Sequence, residues 1–521
     1  MTGGHKTRPY DFWGRLETAV QNSVAVGGRL AMAVQNSVAV GAGVHQIFNF
    51  QFSIFNFIHY LCISMKVFRG KSDELLGFIR DGKPLTRGEK LNLIIQLSIP
   101  SILAQITSVV MFFIDQAMVG HLGEKASAAC GIVETTTWLF FSLTGAASMG
   151  FSVQVAHFIG ANDFVKARQV FRHALIVTTI LSLVMMFVAV AVARPLPYWL
   201  GGGADIARDA SLYFLIFSLA IPFFQLNSLA GAMLKCSGNM RIPSLMSIIM
   251  CILDVGFNYL FIYQAHLGVM GAAIGSALSA VICGLALGYI AVFRNKMLSL
   301  RRVGERFFWV GDYLLNAAKI GLPMAVQSVL MSGAQIVGTM IVAPLGNIAI
   351  AANTLGVTAE SLCYMPGYGI GEAATTLIGQ SMGARRGDLC RSFARMTLFS
   401  GMAVMALMGV VMFVFAPEMM ALMTPVDAII DLGARCLRIE AFAEPMFAAS
   451  IVAVCVCIGA GDTLKPAIIS LGSMWFVRLT LAYALSLRYG LVGVWIAMAV
   501  ELTFRGILLT TRLFKLKIES T

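Results

Sequence analysis

The sequence predicts an all-α polytopic membrane protein, with twelve transmembrane helices in two six-helix bundles related by a pseudo-twofold axis along the membrane normal. Of the 521 residues, 58% are hydrophobic and 12% are charged, whereas a soluble domain carries roughly 25% charged residues. Apolar stretches follow one another from Leu91 onward, and about 20 apolar residues suffice for one helical crossing. The second half of this region also repeats the pattern of the first. These observations exclude a soluble enzyme, and we expect no enzymatic activity.

Twelve apolar stretches alternate with short polar connections, and each stretch predicts one helix. Their approximate bounds are 92–119, 127–155, 173–195, 208–234, 243–263, 268–292, 313–343, 348–379, 396–416, 432–458, 466–487 and 491–511. Six stretches precede the basic segment 294–312 and six follow it. This segment is therefore the predicted linker between two lobes.

One constant shift along the chain superimposes the second six stretches on the first six. The positions that it pairs include Pro100 with Pro323, Leu122-Gly123 with Leu345-Gly346, Pro222 with Pro445, and Pro243 with Pro466. Because each half contains an even number of predicted helices, both halves enter the membrane from the same side. The repeat predicts two parallel lobes around a central cleft, an arrangement typical of transport by alternating access.

The repeat also sets the predicted domain boundaries. They are a poorly ordered extension at 1–64, a cytoplasmic N-terminal segment at 65–90, an N-terminal lobe at 91–293, the cytoplasmic linker at 294–312, a C-terminal lobe at 313–515 and a tail at 516–521. The extension contains the nonapeptide AVQNSVAVG twice and shares nothing with the repeat. Whether residues 1–64 belong to the working protein stays open.

Basic residues are distributed unevenly between the two sides of the predicted membrane. Connections that follow even-numbered stretches carry fifteen Lys and Arg residues, and the other connections carry six. By the positive-inside rule, both termini are predicted to lie in the cytoplasm. The net charge of +12 then reflects loops that face an anionic leaflet. We expect a multi-pass monomer of the cell inner (cytoplasmic) membrane, with the lipid bilayer and small-molecule substrates as partners and no nucleic acid.

Charged side chains at membrane depth are costly and are therefore candidates for function. The first stretch contains Asp115 fifteen residues after Pro100, which places the carboxylate roughly 22 Å further along the helix. Pro100 frees a backbone carbonyl and allows a helix kink. The fifth stretch carries Asp254 and Asn258 on one helix face, and Ser276 of the sixth stretch reaches a similar depth.

These four residues predict an oxygen-rich cluster that could coordinate Na+ or hold a proton. The alternative reading places Asp115 in the outer headgroup region and gives Asp254 a hydrogen bond to a neighbouring helix. Glu360 and Arg478 are the secondary candidates. The remaining intramembrane acids are nearer to predicted helix ends, where a hydrated or capping role is expected: Glu134, Glu372, Glu440 and Glu444.

No motif in the sequence predicts a nucleotide or metal cofactor. The segment Gly77 to Pro84, GFIRDGKP, matches part of a phosphate-binding loop, but Pro84 occupies the position of the hydroxyl that would hold magnesium. The ten cysteines lie mostly in apolar stretches without metal-site spacing. An ion gradient, of Na+ or H+, is therefore the expected source of energy.

The chain resembles the multidrug and toxic compound extrusion (MATE) family of cation-coupled efflux transporters. The likeness covers about residues 91–515 and rests on Pro100 with Asp115, Val119-Gly120-His121-Leu122-Gly123, Gly160-Ala161, Gly379-Gln380-Ser381-Met382-Gly383-Ala384, and Gly459-Ala460-Gly461-Asp462-Thr463. The resemblance implies a V-shaped pair of six-helix bundles that exports organic, often cationic and amphipathic, compounds in exchange for Na+ or H+.

The resemblance also implies a cation site formed by the first-helix Asp, an Asn and an Asp on the fifth helix, and a Thr on the sixth. Here Asp254 holds the Asn position, Asn258 the Asp position and Ser276 the Thr position, so the fifth-helix pair is exchanged. The NorM branch adds a Glu on the seventh helix and an Asp on the tenth, where this chain has Met331 and Phe447. The resemblance is therefore closer to the DinF-like branch.

Two other functions stay open at this stage. A flippase for a lipid-linked oligosaccharide or related lipid precursor would share the two lobes but would need a strongly basic cleft, for which Arg478 is the one intramembrane candidate. A membrane-embedded enzyme would need converging His, Ser or metal-binding side chains. Substrate identity is not readable, because linings such as Trp138 and Tyr364 suit many amphipathic compounds.

Overall fold

The computed structural model describes residues 72–301 and 307–515, and the regular secondary structure in these ranges is helical throughout. The all-α prediction is therefore confirmed for the described residues. The extension predicted at 1–64 and the tail at 516–521 lie outside them.

Sixteen α-helices follow one another along the described ranges. They are α1 (Ser72–Arg80), α2 (Arg87–Gly120), α3 (Glu124–Gly160), α4 (Phe164–Val192), α5 (Leu196–Trp199), α6 (Ala204–Cys236), α7 (Arg241–Asn258), α8 (Gly268–Tyr289), α9 (Gly311–Val342), α10 (Asn347–Gly383), α11 (Gly387–Ala421), α12 (Asp427–Glu440), α13 (Glu444–Gly459), α14 (Leu464–Gly472), α15 (Leu479–Tyr489) and α16 (Leu491–Phe514). Single π-helical turns extend α7 to Gln264 and α8 to Arg294, and another, Ser473–Arg478, joins α14 to α15. All twelve predicted stretches are helical.

Helix length and composition support fewer membrane crossings than the twelve that the sequence pattern predicts. Ten helical segments of the described residues are long and apolar enough to cross a membrane, and the pair α12 and α13, bent by 59°, adds an eleventh. The 37-residue helix α10 is not among them. The structure thus supports ten or eleven spans.

Pro445 lies at the break in the tenth stretch. Pro445 occupies the first turn of α13, where its missing N–H leaves no helical hydrogen bond unmade. Its counterpart in the repeat, Pro222, lies inside the unbroken helix α6. The same residue at equivalent positions therefore begins a helix in one half of the chain and is accommodated within a helix in the other.

Helices from the two halves of the repeat pack against each other. We call residues 87–294 the N half and residues 311–514 the C half. The helix α2 packs on α10, and α3 packs on both α9 and α10. The closest approaches are Gly160 against the Gln380 carbonyl and Gly383 against the His157 carbonyl, where a β-carbon would collide.

These contacts lie at one end of the helices. This end adjoins the connections after the even-numbered stretches, which carry the excess of Lys and Arg, and we call it the basic end. Gln380 Nε2 donates to the Cys236 carbonyl over 2.8 Å, and Gln154 Nε2 donates to the Tyr313 carbonyl over 3.0 Å. The two halves are therefore hydrogen bonded to each other at the basic end.

Candidate functional site

Asp115, Asp254 and Asn258 form a connected polar cluster inside the N half. Asn258 Nδ2 donates to Asp115 Oδ1 over 2.8 Å and contacts Asp254 Oδ2 at 3.3 Å. One amide group from α7 thus joins the carboxylate of α2 to a second carboxylate of its own helix. Asp254 and Asn258 are 0% and 1% exposed, whereas Asp115 is half-buried.

Helix geometry brings these groups together. Asp254 and Asn258 are four residues apart and share a face of α7. The π-helical turn begins directly after Asn258, and in it Tyr263 Oη donates to the Met118 carbonyl over 3.2 Å. This bond fixes the C-terminal part of the fifth stretch against α2, close to Asp115.

The sixth stretch completes the cluster because a glycine lets α8 approach. A β-carbon on Gly275 would collide with the Asn258 side chain. Ser279 Oγ lies 3.4 Å from Asp254 Oδ1, and Ser276 is also within hydrogen-bonding reach of Asp254. Two serine hydroxyls of one α8 face therefore surround the buried carboxylate.

The chemistry of the cluster suits a small cation or a proton. The two carboxyl groups are within hydrogen-bonding reach of each other, and their named partners, an amide and two hydroxyls, are neutral. Two carboxylates at such a distance repel each other unless a proton or a cation lies between them. The Asn258 Oδ1 atom is buried without a hydrogen-bond partner, so a free oxygen ligand is also present.

The structure thus brings together all four residues that the sequence suggested for cation coupling. Ser279 was missed, although its position three residues after Ser276 puts both on one helix face. Pro100 lies inside α2, which continues through it. The binding of an ion by these residues stays a prediction.

Aromatic side chains lie near this cluster in the N half. Trp138 packs edge-on against Phe112 and Phe141, with ring centroids 5.9 and 6.0 Å apart. Glu134 Oε1 accepts a hydrogen bond from Trp138 Nε1 over 3.3 Å. Trp138 is 51% exposed, so an aromatic surface with an adjoining carboxylate is accessible.

The C half contains a second group of buried charges. Glu360, Glu440, Glu444 and Glu501 are 4%, 0%, 0% and 0% exposed. Glu501 Oε1 accepts from Ser473 Oγ over 2.6 Å and pairs with Arg505 Nε at 3.4 Å. The secondary candidate Arg478 contacts Met498 and interacts electrostatically with Glu360.

The expectation of hydration was wrong for Glu440 and Glu444. Glu440 and Glu444 flank the bend between α12 and α13, but this bend lies inside the protein and their four carboxylate oxygens are buried without hydrogen-bond partners. Glu372 lies within α10 and accepts from Lys235 Nζ over 2.6 Å and from Gln105 Nε2 over 3.2 Å. The sequence could not reveal these surroundings, because they come from other helices.

Within the ranges that the structure describes, no group of three or more His, Cys, Asp or Glu side chains could hold a metal ion. The cysteines there are free, and all but Cys455 are buried. The cluster around Asp115 therefore depends on two carboxylates with amide and hydroxyl oxygens, a ligand set that suits exchangeable hard cations.

Known proteins are similar to this chain in sequence. The MatE family model matches residues 100–260 and 323–484, so its two copies begin at Pro100 and Pro323, the prolines that the internal repeat pairs. The chain is 24% identical over 421 residues to the probable multidrug resistance protein NorM of Thermotoga maritima, covering 80% of this chain and 90% of the relative.

Solved structures share the fold. The outward-facing conformation of a multidrug resistance MATE family transporter of the MOP superfamily matches with a TM-score of 0.80 at 21% identity, covering 86% of this chain and 99% of the other. A MOP superfamily transporter from Pyrococcus furiosus, for which a reverse polarity of the binding pocket is described, matches with a TM-score of 0.79 at 21% identity, covering 86% and 98%.

Proposed function

The chain belongs to the MatE family of membrane transporters, and from this premise we propose that it is a secondary antiporter exporting organic compounds in exchange for Na+ or H+. One observation supports the proposal most strongly. Asp115 and Asp254 share the Asn258 amide inside the N half, and such a carboxylate pair can take up and release a proton or a small cation. The relative from Thermotoga maritima is named a multidrug resistance protein, which supports drug-like export substrates.

The proposed mechanism couples this cluster to alternating access. With the coupling ion bound, the Asp115 and Asp254 carboxylates can approach, and α2, α7 and α8 are drawn together. Without it, the carboxylates repel and the three helices relax. An ion can drive transport only if it favours one orientation of the protein over the other. Asp115 is half-buried on α2, and α2 also packs on α10 of the C half. In this mechanism α2 is therefore the helix that moves when the coupling ion binds or leaves.

We further propose that the two halves are six-helix bundles and that the basic end, with both termini, faces the cytoplasm. The excess of Lys and Arg in its connections supports this orientation. Thiol labelling of Gly201→Cys and Arg301→Cys variants in intact cells tests it. We expect a membrane-impermeant reagent to label the first position and to leave the second unlabelled. Equal labelling of both positions from outside would reject this topology.

The aromatic surface around Trp138, with Glu134 beside it, supports cationic and amphipathic substrates, since aromatic faces attract cations. We propose a monomer that needs no cofactor besides the coupling ion and no nucleic acid partner. The matched relatives carry the name NorM. We nevertheless propose a DinF-like mode of coupling through the N half, because Met331 and Phe447 occupy the positions of the second site.

The flippase alternative has less support from the described residues. Arg478, its one intramembrane candidate for a basic cleft, contacts Met498 and neighbours Glu360. Arg505, also buried, pairs with Glu501. Both arginines thus have acidic neighbours, which reduces their attraction for an anionic lipid.

Transport in proteoliposomes tests the proposed function. A panel of cationic and neutral dyes is offered under an imposed Na+ gradient, an imposed H+ gradient, or neither. We expect accumulation of at least one cationic dye with one of the two gradients, and its loss in the Asp115→Asn protein. Asp312→Asn is the matched control, because Asp312 is exposed at the start of α9. Full gradient-driven transport by the Asp115→Asn protein would contradict the proposed coupling site.

A further inference from the structure

The short helix α1 (Ser72–Arg80) precedes the first predicted stretch and is amphipathic. Leu75, Leu76 and Ile79 are 4%, 1% and 0% exposed, whereas Asp73 and Glu74 on the opposite face are exposed. A nine-residue helix has little stability of its own in water. Its conformation and position therefore depend on what its apolar face packs against.

That face packs against both halves of the repeat. Leu75, Leu76 and Ile79 belong to one hydrophobic cluster with Met240 of the N half and with Leu377, Leu389 and Phe393 of the C half. Leu76 lies so close to Gly238 that a β-carbon there would collide with it, and the Gln380 side chain is nearby. Burial of these three large aliphatic side chains stabilises the docked position of α1.

Polar contacts attach the C-terminal end of α1 to two turns that are equivalent in the repeat. Asn162 and Arg385 occupy paired positions of the repeat, and both have a positive φ, of 57° and 56°. On the first turn, Asn162 Nδ2 donates to the Arg80 carbonyl over 3.3 Å. On the second, Arg386 Nη1 donates to the Phe78 carbonyl over 3.3 Å and to the Lys83 carbonyl over 2.6 Å. One turn from each half thus holds the same helix end.

The charged end of α1 is also docked rather than solvated. Arg80 Nη1 contacts Met297 Sδ at 3.3 Å, in the segment that follows α8. Burial of the guanidinium lowers the pKa of Arg80, while Asp81 and Asp73 act in the opposite direction. The helix therefore contacts the turn after α6, the turn after α3, the segment after α8 and the C half at once.

Beneath α1 lie the contacts that join the halves at the basic end. Thr376 Oγ1 donates to the Lys235 carbonyl over 3.2 Å, and His157 Nε2 is 2.8 Å from the Gly459 carbonyl. Glu372 of the C half accepts hydrogen bonds from Ser101 and Lys235 of the N half. A path through the basic end would separate all of these pairs.

We propose that α1 is a clamp that holds the basic ends of the two halves together and must leave one half before that end can open. The proposal rests on the alternating access proposed above. Because Leu76 and Ile79 belong to one cluster with side chains of both halves, separating the halves would expose part of this apolar face. The Phe78 carbonyl would lose its partner if α1 left the C half, and the Arg80 carbonyl would lose its partner if α1 left the N half. The clamp therefore stabilises the conformation that is closed at the basic end.

Thiol accessibility at Thr376 tests the clamp without measuring transport. Thr376 is 1% exposed, and Thr376→Cys is labelled only when the basic end opens. In inside-out vesicles we expect Leu76→Asp to raise the rate of Thr376→Cys labelling about tenfold, as a shift of about 1.4 kcal/mol in the opening equilibrium would do. Arg386→Ala should raise it by a smaller factor. Glu74→Gln, on the exposed face, is the matched control and should leave the rate unchanged. The protein without Thr376→Cys gives the background from native cysteines.

The possible results distinguish a failure of the clamp proposal from a failure of the proposed transport function. Unchanged labelling in Leu76→Asp and Arg386→Ala proteins that reach the membrane and melt like the parent would overturn the clamp, whatever the transport result. Arg386→Ala keeps the test valid if Leu76→Asp does not fold, since it removes two hydrogen bonds to carbonyls and the ion pair with Asp388 but places no charge in the apolar cluster. Raised labelling combined with no dye transport by the parent would support the clamp and count against the proposed antiport.

Discussion

The two halves of the chain carry buried polar groups at equivalent places, but their charges differ in sign. Gly271 lies against the Phe261 carbonyl in the N half, and Gly493 lies against the Leu485 carbonyl in the C half. Asp254 lies in the fifth stretch, and Arg478 lies in the counterpart of that stretch in the repeat, the eleventh. Asp254 has Ser276 and Ser279 of the sixth stretch as neighbours, whereas Arg478 contacts Met498 of the twelfth. The fifth stretch thus contributes a carboxylate and the eleventh a guanidinium.

The difference shows how one repeated scaffold can carry two different electrostatic arrangements. In the N half, two acids have neutral partners, and Asp115 is half-buried, so an ion can reach the cluster. In the C half, Glu360, Glu440, Glu444 and Glu501 are at most 4% exposed, and Glu501 pairs with Arg505. A carboxylate that is sealed from solvent is out of reach of an external ion. We therefore expect ion exchange in the N half and a structural role in the C half.

The largest expected effect is on stability, in the C half. Arg478→Met removes a positive charge from among buried glutamates, and an uncompensated buried charge costs about 3–5 kcal/mol. We expect a clear loss of thermal stability in detergent, measured by unfolding of the purified protein. Arg435→Met, at an exposed position of α12, is the control. A melting temperature equal to that of the parent would show that Arg478 does not compensate the acids.

The next largest effect is on coupling, in the N half. Asp115→Asn removes a carboxylate that either ion would need, and we expect gradient-driven export to fall about 10- to 100-fold, the usual range of coupling energies. Binding of a dye, measured by fluorescence, should persist, and the melting temperature should change little. If Asp115→Asn lowered the melting temperature as much as Arg478→Met, Asp115 would also have a structural role. The proposed difference between ion exchange in the N half and structure in the C half would then be contradicted.

Exchanging the fifth-helix pair separates the effect of charge from the effect of residue order. Asp254→Asn alone should weaken coupling less than Asp115→Asn, because Asp115 keeps its carboxylate. Asp254→Asn combined with Asn258→Asp conserves two carboxylates and one amide at the cluster and should restore most of the transport rate. The measurement is dye uptake under the driving gradient in matched vesicles. A double variant less active than Asp254→Asn alone would show that the order of the pair, and not its charge, governs coupling.

Glu360→Gln tests whether the C half also takes part in ion exchange. This change removes a negative charge beside Arg478, and we expect a loss of gradient-driven transport well below that of Asp115→Asn, within about threefold, since the helix packing is retained. Transport abolished by Glu360→Gln in a protein of normal stability would move the coupling site to the C half.

The smallest effect belongs to Ser279. Its hydroxyl is 3.4 Å from Asp254 Oδ1, a long contact, and the loss of one such hydrogen bond costs about 1 kcal/mol. Ser279→Ala should therefore shift the ion concentration for half-maximal transport by less than about fivefold. A larger shift would make Ser279 a principal ligand instead of a peripheral one.

Much of the candidate site could be read from the sequence, because helix periodicity relates residues within one stretch. Asp254 and Asn258 share a face through their spacing of four, and Ser276 follows from its depth in the sixth stretch. Glu440 and Glu444 show the limit of this reasoning. Their place near the end of a predicted stretch suggested hydration, but burial depends on which helices pack around the bend at Pro445.

Composition and periodicity determined that this chain is a repeated, all-helical membrane protein whose first half places the carboxylates of Asp115 and Asp254 at similar membrane depth. Apolar length and composition suffice for that, because a backbone in lipid must satisfy its hydrogen bonds within each helix. The tertiary structure alone decided that Pro445 breaks a helix where Pro222 does not. It also decided that Arg478 lies near Glu360 and that α1 packs across both halves. These features depend on contacts between residues far apart in the chain, and no local pattern specifies such contacts.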